Sequence, residues 1–84
     1  VYRVELNPDV AEQVEALPGS ALAPFMEVWT TLELNPWGFP PYNEANPDGA
    51  MRALLCGDHK QGFAVFLTLE GKRRVAIVNV RWAD

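Results

Sequence analysis

Cysteine is nearly missing from this chain: Cys56 is the only one among 84 residues. A lone thiol forms no internal disulfide and no cysteine-based metal site, so a buried free thiol is the expectation. That suits a reducing compartment. Long apolar runs are missing too. None approaches the ~20 residues that a membrane helix needs, and no membrane partner is expected. No basic, then apolar, then small-residue segment reads as a signal peptide, so a cytoplasmic location is the expectation. Phosphate-binding glycine motifs, a Ser/His/Asp set and clustered metal ligands are also lacking, and no cofactor or metal is expected. Positive charge is missing over a long stretch, with no Lys or Arg between Arg3 and Arg52.

What is present is a core. Hydrophobic residues make up 49% of the chain, which argues against disorder. The length allows one domain, residues 1–84. A domain of this size buries only roughly 60% of its unfolded surface, so its stability margin is thin. The net charge is −4 and unevenly spread. Up to residue 51, eight acidic residues stand against Arg3, a balance of −7. Beyond it, six basic residues stand against Asp58, Glu70 and Asp84, a balance of +3. Such asymmetry marks a polyanion-binding half, a basic partner for the acidic half, or two ordinary solvated surfaces.

"VYRVEL" alternates, with Tyr2, Val4 and Leu6 on one side, and reads as a half-buried strand. Asn7 then caps a helix, Pro8 suits its first position and Asp9 favours its dipole. Val10, Ala11, Val14 and Leu17 follow at helical spacing, and "PG" at 18 and 19 stops the helix. Ser20 is the expected cap of a second helix, whose apolar stripe is Leu22, Phe25, Met26, Trp29 and Leu32. Neither helix is stable alone at this length, so both need a surface to pack on. "AMRALLC" (50–56), "FAVFLTL" (63–69) and "RVAIVNVRW" (74–82) read as three strands of an antiparallel meander. In the last, Ala76, Val78, Val80 and Trp82 are expected to oppose Val75, Ile77, Asn79 and Arg81. Apolar on most of both faces, this strand is expected to be central. The fold class is α+β: β-α-α-β-β-β, a mainly antiparallel sheet with a helical hairpin on one face.

Residues 35–49, "NPWGFPPYNEANPDG", carry four prolines, three aromatics and no positive charge. Loops of this length in small domains are functional or disordered. Prolines lower the entropy lost on folding, so the expectation is an ordered loop with Trp37 largely buried.

"YRVELNPDVAEQVEALP", a helical hairpin, a proline-containing loop and then "MRALLCGDHKQGFAVFLTLEGKRRVAIVNVRW" resemble the RelE/ParE superfamily of bacterial toxins. The telling pieces are the helix ending in "LP", Arg52 and Leu54, the "G-x-x-V-F" of Gly62, Val65 and Phe66, and the final "V-x-V-R-W". The resemblance implies a cytoplasmic toxin of a type II toxin–antitoxin system, held inactive by a cognate antitoxin whose extended segment wraps it. RelE-like members inhibit translation by cleaving messenger RNA on the ribosome, as metal-independent endoribonucleases. ParE-like members inhibit gyrase. A catalytically degenerate member would only bind a protein partner. Monomer and homodimer are both compatible. Where the family often carries an arginine, this chain aligns Ala64. Where family loops supply lysines, it has Glu44 and Asp48.

Cleavage by attack of a 2′-hydroxyl needs a base, an acid and cations for the charged phosphorane. Arg52 and Arg81 are the candidate cations, expected to converge on one sheet surface. Lys60 and Arg74 are candidate RNA contacts. Tyr42 is a candidate for stacking or proton transfer. His59 is the only histidine, the side-chain type that titrates near neutrality. An exposed turn for His59 and plain surface charge for the basic residues are the competing readings.

Overall fold

The computed structural model describes residues 1–40, 45, 49–57 and 59–83. The chain runs β1 (Arg3–Leu6), α1 (Pro8–Glu15), α2 (Leu22–Leu34), β2 (Met51–Cys56), β3 (Gly62–Leu69) and β4 (Arg74–Trp82). This is the α+β order expected. The strands form one sheet in the order β1-β4-β3-β2. β2, β3 and β4 make the antiparallel meander, and β1 pairs parallel with β4, which is central as expected.

Local chemistry explains the start of α1. The Asn7 side-chain oxygen accepts from the Val10 N–H at 2.8 Å, and Pro8 opens the helix. Such a cap contributes about 1 kcal/mol. Ser20 does not play this part for α2. It lies inside a 3₁₀ turn, Gly19–Ala21, that leads directly into the helix, and no side chain caps the junction. The buried side of α2 is also rotated from the expected stripe. Phe25, Val28 and Leu32 are buried, while Leu22 and Met26 are exposed.

Helices α1 and α2 cover one face of the sheet. Tyr2 and Val4 of the opening segment point into this core, as their alternation requires. Leu54, Ala64, Phe66, Val75, Ile77 and Val80 complete its sheet side. The last three break the expected alternation of β4. Val65 pairs with Asn79, whereas Phe66 pairs with Ile77, so Val78 is an extra residue. This bulge lets Val75, Ile77 and Val80 face the helices together. At the far end, Gly57 (φ 94°) turns the chain out of β2. A Cβ on Gly62 would meet the Trp82 ring at 2.9 Å, so glycine lets that ring lie on the strand.

Of the segment 35–49, the described residues 35–40 pack on this frame, and the expected order of 41–44 and 46–48 lies outside the described residues. Pro36–Gly38 form a 3₁₀ turn, and the Phe39 ring meets the Phe66 ring edge-on at 5.8 Å. Trp37 is half-buried rather than largely buried. Its indole must reach a polar partner at the surface, which keeps one edge in solvent. Among the described residues, no helix is long and apolar enough to cross a membrane.

Candidate functional site

The pairing register fixes which way each candidate cation points. Arg52 pairs with Phe66, which is on the helix-covered face. Arg81 pairs with Phe63, three residues earlier in the regular strand β3 and so on the opposite face. The expected convergence of Arg52 and Arg81 is therefore not realised. The odd separation of Phe63 and Phe66 puts the sheet between the two guanidinium groups.

Arg52 is tied into the end of the core. Its Nη1 donates to the Phe39 carbonyl at 2.7 Å, and its guanidinium sits 4.8 Å from the centre of the Trp37 ring. A hydrogen bond from a charged donor contributes about 1.5–3 kcal/mol, and an exposed cation–π contact about 0.5–1 kcal/mol. Arg52 thus anchors the start of the long loop to the edge strand.

Trp37 continues the network. Its Nε1 donates to Glu70 Oε1 at 2.8 Å, and the Tyr2 hydroxyl donates to the same oxygen at 2.6 Å. Glu70 Oε2 lies 3.5 Å from Arg73 Nε, and the Arg73 guanidinium lies 5.2 Å from the centre of the Tyr2 ring. One carboxylate therefore ties together the chain start, the loop and the β3–β4 turn. Nothing local in the sequence signals it, because Tyr2 is 68 positions and Trp37 is 33 positions from Glu70. The hydrogen bond from Tyr2, then that from Trp37, holds the Glu70 carboxyl below the usual carboxylate range. The Glu70 contact, and then burial, push the Tyr2 phenol up.

A folded-state carboxyl pKa below the unfolded value stabilises the fold above the unfolded pKa of about 4.3. That contribution is lost as pH falls through the folded value. Acidification below pH ~4 is therefore expected to release the Trp37 indole and shift its emission, with a matching drop in stability. Glu70→Gln, which has no charge to lose, should remove the acid step from both readouts. A step of full size in that variant, followed by fluorescence during urea unfolding, would show that another carboxylate is responsible.

The remaining candidates are scattered. His59 is exposed in the β2–β3 turn, and its backbone N–H donates to Gln61 Oε1 at 3.0 Å. Lys60 is exposed beside Phe63 and Leu55, in a groove of about 400 Å³ that also takes in Phe39 and Pro40. Arg74 Nε lies 3.5 Å from Glu5 Oε1. Tyr42 lies outside the described residues. Ala64, aligned with a family arginine, is 1% exposed beneath the helices and does not face solvent. The Cys56 thiol is half-buried rather than buried, and its burial pushes its pKa up, away from reactive thiolate. No three His, Cys, Asp or Glu side chains come together as metal ligands among the described residues.

The face opposite the helices was the feature sequence reasoning missed. Phe63, Val65, Leu67 and Leu69 line it along β3, flanked by Met51 and Leu55 of β2 and the bulged Val78 of β4, and Val65 at its centre is buried, 5% exposed. Leu55 is 56% exposed, and Met51, Leu69 and Val78 are each more than a third exposed. The register also places Arg3, Arg74 and Arg81 on this side. The signal was the near-continuous apolar run "FAVFLTL", the mark of a strand meant to be covered on both faces. Comparison of the chain with family models, with curated proteins and with solved structures finds no match.

Proposed function

We propose that this chain is a RelE/ParE-like toxin-type domain that acts by holding a protein partner rather than by cleaving RNA. One observation carries the choice: Arg52 and Arg81 leave the sheet on opposite faces, so they cannot stabilise one phosphorane together. Arg52 is moreover engaged by the Phe39 carbonyl and Trp37. The order of elements agrees with the resemblance drawn from the sequence. In that setting the partner is a cognate antitoxin, and a gyrase-type protein target is the reading nearest to it.

Induced expression with growth and transcript readouts is the test. Intact messenger RNA is expected, together with a stoichiometric complex between this chain and the product of a small neighbouring open reading frame. Growth arrest with intact transcripts points to a protein target, as for ParE-like members. Cleaved transcripts that become intact in Arg81→Ala would overturn the proposal and restore the ribosome-dependent nuclease. Arg81 is the informative position because it is exposed. Loss of Arg52 would also loosen the loop and confuse the result.

A further inference from the structure

We infer that the outer side of α2 is the docking surface for an amphipathic helix with a basic flank, supplied by the partner. This rests on the partner-binding reading above and names the surface and the chemistry of its occupant. α2 is apolar nearly all round, with Glu27 and Glu33 the only charges in its 13 residues. A helix of that kind is buried on more than one side. The sheet takes one side only, where Phe25, Val28 and Leu32 are buried. Leu22, Met26 and Trp29 form a second row roughly a quarter turn round the helix. Leu22 is 52% and Met26 58% exposed, while Trp29 is half-buried, its ring 6.2 Å from that of Phe25. Beside Met26, the Thr30 and Thr31 hydroxyls donate to the Met26 and Glu27 carbonyls at 3.1 and 2.8 Å. Their polar groups are thereby turned back onto the helix. The shallow groove of about 510 Å³ that they line with Met26 and Glu27 is mainly apolar.

Charge decides the occupant. α1 and α2 carry Asp9, Glu12, Glu15, Glu27 and Glu33 and no base. Among the described residues no ion pair engages any of the five. A second copy docking through the same row would set these carboxylates against one another. A partner helix with Leu-like residues on one stripe and Lys or Arg beside it covers Leu22 and Met26 and pairs the carboxylates. From Leu22 to Glu33 the row rises roughly 16 Å at ~1.5 Å per residue, so about three turns of a partner helix span it.

The test uses the full chain and three synthetic 18-residue helical peptides. One carries a leucine stripe flanked by Lys, one the same stripe flanked by Glu, and one a serine stripe flanked by Lys. The leucine–Lys peptide is expected to bind at least tenfold more tightly than either of the others, with affinity falling as salt rises. It should shift the amide resonances of Leu22, Met26 and Thr30, leaving Phe63, Leu67 and Leu69 unmoved. Leu22→Gln with Met26→Gln, both at exposed positions, should weaken it at least tenfold while the circular dichroism stays native. Glu27→Lys with Glu33→Lys should abolish the preference for the Lys flank over the Glu flank. Equal affinity for the leucine and serine stripes would mean attraction by net charge alone and would overturn the inference. Equal affinity for the two flanks, or shifts confined to the sheet, would overturn it too. So would a dimer in sedimentation that Met26→Gln converts to monomer, because a second copy would then be the cover. The two readings fail separately. Transcript cleavage by a chain that still prefers the leucine–Lys peptide removes the partner-binding function alone. Intact transcripts without the preference remove this surface alone.

Discussion

Ala64→Arg is expected to leave the domain unfolded at room temperature. Ala64 is 1% exposed and sits between Leu54 and Val80 in the pairing register, on the face beneath the helices. An arginine there must bury a guanidinium against apolar side chains, Leu54 and Val80 among them. An uncompensated buried charge costs several kcal/mol, and the added volume costs about 1–3 kcal/mol more. A domain of this length holds only about 4–13 kcal/mol in total, from 0.05–0.15 kcal/mol per residue. Ala76→Arg is the matched control. Ala76 lies one strand away, beside Leu67 on the face opposite the helices, and is itself partly exposed, so the new side chain can reach solvent. Far-UV circular dichroism and urea unfolding should show the Ala76 variant folded and the Ala64 variant not. A cooperative transition near the parent midpoint for Ala64→Arg would sink the assignment of faces.

That contrast marks where the sequence stopped being legible. The alignment of Ala64 with a family arginine treated the position as available to a ligand, because in a strand apolar on both faces, such as GFAVFLTL, spacing does not say which face the helices cover. The opening strand was readable, since Tyr2 and Val4 alternate with charged Arg3 and Glu5. The α1 start was readable, since Asn7, Pro8 and Asp9 act within one turn of backbone. Element order and the central place of β4 followed from hydrophobic patterning. Failures came wherever a feature belongs to pairing rather than to a segment. The Val78 bulge exists only in the register between β3 and β4, and it puts Val75 and Ile77 on one face with Val80, which strict alternation sets opposite them. The Glu70 junction joins residues from three parts of the chain. The charge imbalance was visible from the start. Its meaning became physical once α1 and α2 lay on one side of the sheet and Arg3, Arg74 and Arg81 on the other. Arg52 shows the opposite limit: as a candidate catalytic cation it was chosen for its type, and its hydrogen bond to the Phe39 carbonyl gives it a structural part instead.

Phe66→Ala is expected to cost about 3–5 kcal/mol, the range for a fully buried phenylalanine truncated in a core. Phe66 is 0% exposed, among the largest buried side chains, and pairs across the sheet with Ile77 and Arg52. Its ring also meets Phe39 edge-on, with an angle of 83° between the rings. Such pairs contribute about 0.5–1.5 kcal/mol beyond their buried area. The loss would therefore reach past the core. Without the Phe66 ring, Phe39 loses its seat, and the carbonyl that receives Arg52 Nη1 loses its fixed position. The loop start and β2 should loosen together, so hydrogen exchange at Ala53, whose N–H donates to the Pro40 carbonyl, should quicken beyond the global change. A double-mutant cycle separates the two parts. Phe39→Ala alone should cost less, because its ring is only half-buried. The combined variant should fall short of the sum of the single losses by about 0.5–1.5 kcal/mol, the direct ring–ring contribution. Urea midpoints at unchanged slope give each value. Strict additivity in the cycle would mean that the Phe39 ring, and with it the described start of the loop, packs independently of the core.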